Sequence, residues 1–110
     1  MRLLIAIVLS FLVLAGCETM ELRKVNFAQS NDRFVGKNVD DLVMAKGPPT
    51  SAFTFSSGGR VLEYSKSWTE VNGGGYFSPP IYFQKSCKLR FKISTANIVE
   101  SWSSEGNACY

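Results

Sequence analysis

From Cys87 to Ser94 the sequence reads CKLRFKIS, with Cys87, Leu89, Phe91 and Ile93 alternating strictly with Lys88, Arg90, Lys92 and Ser94. Side chains of a strand point to opposite faces in turn, so this segment predicts a strand with one face in a core and the other basic and wet. A sheet with one dry face is characteristically antiparallel. The turn Thr95-Ala96-Asn97 and the apolar-polar run IVESWS that follows predict a hairpin partner. Pairing about Ala96 sets Cys87 opposite Glu105 or so, with Cys109 just beyond.

An earlier stretch has the same period. SAFTF, the turn Ser56–Gly59 and RVLEYSKSW predict a second hairpin carrying Leu62, Tyr64 and Trp68 on one face. Between the hairpins, TEVNGGGYFSPPIYFQKS reads as a long connection with an edge strand at IYFQ. Its rings Tyr76, Phe77, Tyr82 and Phe83 are of the kind enriched at interfaces, and the competing use is to cap the core.

One helix is well marked. In GKNVDDLVMAKGPP, Asn38 is a suitable N-cap and Asp40 and Asp41 occupy the first turn, where the helix dipole favours negative charge. Lys46 lies in the last turn, and Gly47 with two prolines stops the helix. Val39, Leu42, Val43 and Lys46 share a face that can lie on a sheet. Adjacent helix residues do not face each other, so Asp40 and Asp41 read as capping charge rather than an acid/base pair. The fold expected is α+β, with one or two short helices packed on a three- to four-stranded antiparallel sheet.

The N-terminus bears on location. After Arg2 an apolar run extends from Leu3 to Leu14, interrupted by Ser10, and ends at Ala15-Gly16-Cys17. Spanning a bilayer as a helix takes about 20 apolar residues, so this run suits a signal peptide instead. Leu14-Ala15-Gly16-Cys17 resembles the lipobox of bacterial lipoproteins. The resemblance implies cleavage before Cys17, a diacylglycerol on its thiol and an acylated amino terminus. Each buried methylene contributes about 0.8 kcal/mol, so several chains anchor firmly. Glu18, where an inner-membrane lipoprotein commonly has Asp, implies sorting to the outer membrane. Residues 1–16 are then signal peptide, 17–33 an acylated flexible tether in which Leu22, Val25 and Gln29 would share a face of a short helix, and 34–110 the α+β domain.

Removing 16 of 110 residues leaves a domain small enough to bury only about 60 to 65% of its unfolded surface. Of three cysteines the lipid takes Cys17, and Cys87 and Cys109 are expected to form a disulfide after export. A loop of about 20 residues closed this way adds on the order of 3 kcal/mol.

The lipobox, the tether, the capped VGKNVDDLVMAKGPP helix with its Gly-Pro exit, the hairpin bearing LEYSKSW and the later hairpin together resemble small outer-membrane lipoproteins of the BamE (SmpA/OmlA) type. That resemblance implies helices on one face of an antiparallel sheet, as in β-lactamase inhibitory proteins, and a place in the outer membrane, on its periplasmic face.

The chain has no histidine, the usual general base and commonest metal ligand. VGKN lacks the Walker spacing and GGGYFS is no dinucleotide fingerprint. We therefore expect no enzyme, cofactor, metal or small-molecule substrate. After Gly16 the chain carries eleven Lys and Arg against nine acids, too slight an excess to suggest nucleic acid. Two surfaces stand as candidates for binding an envelope protein: the aromatic connection and the stripe Lys88, Arg90, Lys92, which also suits anionic headgroups or a merely solvated face. The expected role is a lipid-anchored interaction module in envelope assembly or integrity; the alternative is an inhibitor or phage-exclusion lipoprotein that blocks an enzyme or receptor.

Overall fold

The computed structural model describes residues 2–5, 7 and 19–110. Its elements are α1 (Met20–Asp32), α2 (Val39–Lys46), β1 (Ser51–Thr54), β2 (Arg60–Asn72), β3 (Ile81–Ile93) and β4 (Val99–Glu105). The strands form one four-stranded sheet in the order β1-β2-β3-β4, every neighbour antiparallel. The chain is thus α+β, with strands dominating. Residues 2–5 and 7 are helical as well, a third helical stretch among the described residues, which lies within the segment expected to be signal peptide.

Both helices contribute to one face of the sheet. Leu42 from α2 meets Leu62, Leu89, Phe91, Ile93 and Val99 in a single buried cluster, with Phe27, Phe34, Val39, Val43, Tyr64 and Trp102 packed at its margin. Phe91 lies at the centre, touched edge-on by Phe34 and Tyr64 at centroid distances of 6.2 and 6.1 Å. Burying such a side chain contributes about 1.5–3 kcal/mol, so six of them make up most of what this small domain can gather. The start and stop of α2 are as the sequence indicates: Asn38 Oδ1 accepts from the Asp40 N–H at 2.9 Å, and the Gly47 N–H donates to Val43 O at 2.7 Å.

Within the segment expected as a tether, where a short helix was allowed for, a helix runs from Met20 to Asp32. Thr19 caps it by accepting from the Leu22 N–H at 3.2 Å. Its C-terminal half belongs to the domain, which therefore begins before Phe34. Phe27 meets Trp102 edge-on at 5.8 Å, Trp102 Nε1 donates to Asp32 Oδ1 at 2.7 Å, and Asn31 is fully buried. Asn31 and Asp32 are polar, so the face of Leu22, Val25 and Gln29 did not show where this helix docks, and contacts 70 residues away in sequence hold it.

Two strand expectations are also corrected. β2 and β3 pair over thirteen positions, from Arg60↔Ile93 to Asn72↔Ile81, so Ile81–Phe83 is a strand, paired on one side only because β4 reaches no further than Lys88, and the connection shrinks to residues 73–80. Beyond Trp68 neither face of this hairpin meets a core, so no apolar alternation marks it. Backbone pairing alone carries it outward. Gly73 closes its end with φ +82°, and a Cβ there would stand 2.8 Å from Pro79 O. In the β3–β4 hairpin, Glu105 faces Lys88 rather than Cys87 because a bulge intervenes between the Lys92↔Ser101 and Ile93↔Val99 pairs. Glu100 is the extra residue.

Candidate interaction surface

Cys17 and Glu18, expected to carry the lipid and the sorting information, lie outside the described residues, as does the cleavage position after Gly16. Among the described residues no helix is long and apolar enough to cross a membrane.

The expected cysteine pair is present. Cys87 and Cys109 are joined, with Cα atoms 5.0 Å apart. Around the bond the tail after β4 is stitched to the outer edge of β3: Ala108 N donates to Ser86 O at 3.1 Å, Asn107 Nδ2 donates to Gln84 O at 2.9 Å, and Asn107 Oδ1 accepts from Ser86 N at 2.9 Å. This brings Tyr110 under α1, to a position the sequence did not indicate.

The tail completes a groove of about 410 Å³ on the helix-bearing side of the sheet, walled by Phe27, Lys46, Tyr64, Lys66, Trp68 and Tyr110. Leu89, Cys87 and Ala108 also line it. Period two puts Tyr64, Lys66 and Trp68 on the core-facing side of β2, but at positions where the helices no longer cover it. Lys66 Nζ stands 5.6 Å over the Trp68 ring, and Lys46 Nζ lies 5.7 Å from the Phe34 centroid and 5.8 Å from that of Phe91. Burial, and then the charge of Arg33, hold the Lys46 ammonium below its ordinary pKa. Tyr64 donates its hydroxyl to Gly47 O at 2.9 Å, locking one wall to the exit of α2. Two ammonium groups among aromatic rings suit a peptide bearing an apolar side chain and a carboxylate. Sequence reasoning placed Tyr64 and Trp68 on one face but missed the groove, because Phe27 and Tyr110 come from segments expected to be flexible or unremarkable.

The aromatic candidates divide. Tyr76 and Phe77 occupy the tip of the β2–β3 hairpin, 98% and 97% exposed, and touch chiefly each other, edge-to-face at 5.6 Å. Tyr82 faces away from the helices opposite Val71, and Phe83 faces the helix side opposite Glu70. Capping the core is therefore not the use of these rings. The basic candidates share the open face but are not a row of free cations. Arg90 is held between Glu63 and Glu105 at 3.1 and 3.0 Å, and Lys92 lies 3.7 Å from Glu100. Glu63 is drawn below the ordinary carboxylate pKa, chiefly by the Ser51 hydroxyl, with Arg90 adding to it. The stripe and the tip stand at opposite ends of β3 and form no common patch.

Among the described residues no group of three or more His, Cys, Asp or Glu side chains is placed to hold a metal ion. Compared with known families, with curated proteins and with solved structures, the chain matches none.

Proposed function

We propose that the protein is a lipid-anchored outer-membrane lipoprotein, on the periplasmic face, that acts as a protein-interaction module in envelope assembly or integrity. The anchor half of this reading rests on the order of Arg2, the apolar run and Leu14-Ala15-Gly16-Cys17, and on Glu18 for the membrane. The resemblance to BamE-type lipoproteins supports the same compartment. The observation that carries the interaction half is the groove beside the disulfide, with Lys46 and Lys66 set among Phe27, Tyr64, Trp68 and Tyr110. Open Tyr and Trp rings are common anchors of protein contacts.

Photo-cross-linkers placed at Lys66 and at Tyr110 in native membranes test it. Both sites should capture the same envelope protein, and a cross-linker at Phe53 on the open face of the sheet should not. No adduct from either groove site would remove the support. For the anchor, Cys17→Ser should abolish the acyl mass increment and release the protein from the membrane fraction.

The inhibitor reading has one observation in its favour, the projecting tip with Tyr76 and Phe77 almost fully exposed, which is shaped to enter another protein's cleft. It requires the protein to inhibit a lysozyme, a protease or phage adsorption in direct assays. Inactivity across such a panel would retire it.

A further inference from the structure

We infer that the tip of the β2–β3 hairpin is a second membrane contact, seated in the headgroup region of the same bilayer that holds Cys17. The inference rests on the lipid-anchor reading above and adds to it a surface and an orientation. Four observations carry it.

First, residues 71–84, VNGGGYFSPPIYFQ, contain no Asp, Glu, Lys or Arg, although charged residues are frequent elsewhere after Gly16. Second, the apolar side chains of this stretch are open. Val71, Ile81, Tyr82 and Phe83 are exposed along with Tyr76 and Phe77 at the tip, and the paired strands carry them on a two-stranded arm. At the tip itself, beyond Glu70 opposite Phe83, Tyr and Phe side chains match the interfacial zone of a bilayer, where a ring lies among acyl chains and a hydroxyl among headgroups.

Third, the start of α1 lies toward the same end of the domain as the arm. Asp32 and Phe34 stand level with Trp102 and Phe91; Phe27, earlier in α1, touches both Trp102 and the groove beside Tyr110, and Arg23 and Asn26 line the latter side. Tyr110 follows Cys109, which is bonded to Cys87, four positions nearer the tip than Phe91. Followed backwards from Asp32, α1 therefore runs toward the tip. Fourth, the leash is short. Two peptide steps separate Cys17 from the helix cap Thr19, a reach of at most about 7 Å. The first turns of α1 also expose Met20, Leu22 and Val25 among Glu21, Arg23 and Lys24, whose one excess positive charge suits the surface of an anionic membrane. A protein partner is the competing occupant of the tip, but the lack of any charge over fourteen positions favours a surface with no charge pattern to match.

The test uses full-length acylated protein reconstituted in vesicles of phosphatidylethanolamine and phosphatidylglycerol carrying brominated acyl chains. Phe77→Trp adds a reporter at the tip, and Phe53→Trp adds one on the open face; both positions are exposed, and circular dichroism checks the fold. The unsubstituted protein supplies the background from Trp68 and Trp102. The F77W emission should be quenched several-fold more than the F53W emission, as insertion about 5–10 Å into the headgroup and acyl boundary requires. With the acyl mass present, equal quenching of the two would overturn this inference and leave the anchor reading intact. A native protein without the acyl increment would overturn both. Capture of an envelope protein by a cross-linker at Tyr76, with F77W unquenched, would assign the tip to that protein and overturn the membrane contact.

Discussion

Reducing the Cys87–Cys109 bond is the perturbation whose size follows most directly from the structure. The two cysteines are 22 positions apart, and the chain between them forms the β3–β4 hairpin. In the loop-closure model, a cross-link over that separation removes denatured-state entropy equivalent to about 3 kcal/mol at 25 °C. For a domain that buries only about 60 to 65% of its unfolded surface this is a large share of the total stability. Reduction is a cleaner perturbation than alanine replacement, because Cys87 is buried and truncating it would add a cavity cost. The assay is urea unfolding of oxidised and reduced protein in the same detergent, followed by tryptophan emission, since Trp102 lies at the edge of the core. Reduction should lower the unfolding free energy by about 3 kcal/mol and the melting temperature by roughly 10–25 °C. A loss below about 1 kcal/mol would refute the reasoning. It would mean that the three hydrogen bonds from Asn107 and Ala108 to Gln84 and Ser86 hold the tail without the bond. Reduction should also weaken cross-linking from Tyr110, since the tail forms one wall of the groove.

Gly106 adopts φ +136°, and a Cβ there would fall on the Ser86 carbonyl oxygen, so Gly106→Ala should cost about 1–3 kcal/mol in the same urea assay. The folded-state pKa of Glu63 is depressed, so its contribution to stability is present above the ordinary value of 4.5 and is lost as pH falls through the lowered one. Glu63→Gln should therefore flatten the acid limb of stability against pH in that window; an unchanged limb would show that its contacts with Ser51 and Arg90 contribute nothing. Asn31 Oδ1 is buried without a hydrogen-bond partner while Asn31 Nδ2 donates to Phe27 O at 3.0 Å, so Asn31→Leu should be neutral or stabilising by about 1 kcal/mol. A clear destabilisation would point to an ordered water on that oxygen. Tyr64→Phe removes the hydroxyl bonded to Gly47 O and should cost about 1 kcal/mol, read by the same unfolding curves.

The strands that carry the core were legible because burial on one face writes a period of two into the sequence, as at Leu89, Phe91 and Ile93. The limits of α2 were legible because capping is a local matter of Asn38, Gly47 and the prolines between them and β1. The cysteine pairing followed from topology, even though the bulge at Glu100 shifted the register by one residue. The candidate surface was legible only as composition. The rings of the connection were visible, but whether they turned into the core depended on how far β2 and β3 stayed paired, and pairing through backbone groups leaves no side-chain signature where both faces are wet.

The sequence by itself determined the order of charge, apolar run and Cys17, the one-sided sheet, the capped helix α2 and the cysteines available to pair. Each of these depends on neighbours within a few residues, or on the alternation of a single strand. Only the tertiary structure decided that α1 docks through Phe27, Asn31 and Asp32, that Tyr110 closes a groove with Lys46, Lys66 and Trp68, and that Arg90 is matched by Glu63 and Glu105. Those contacts join residues far apart in the chain, and their energies exist only once the sheet has brought the partners within reach.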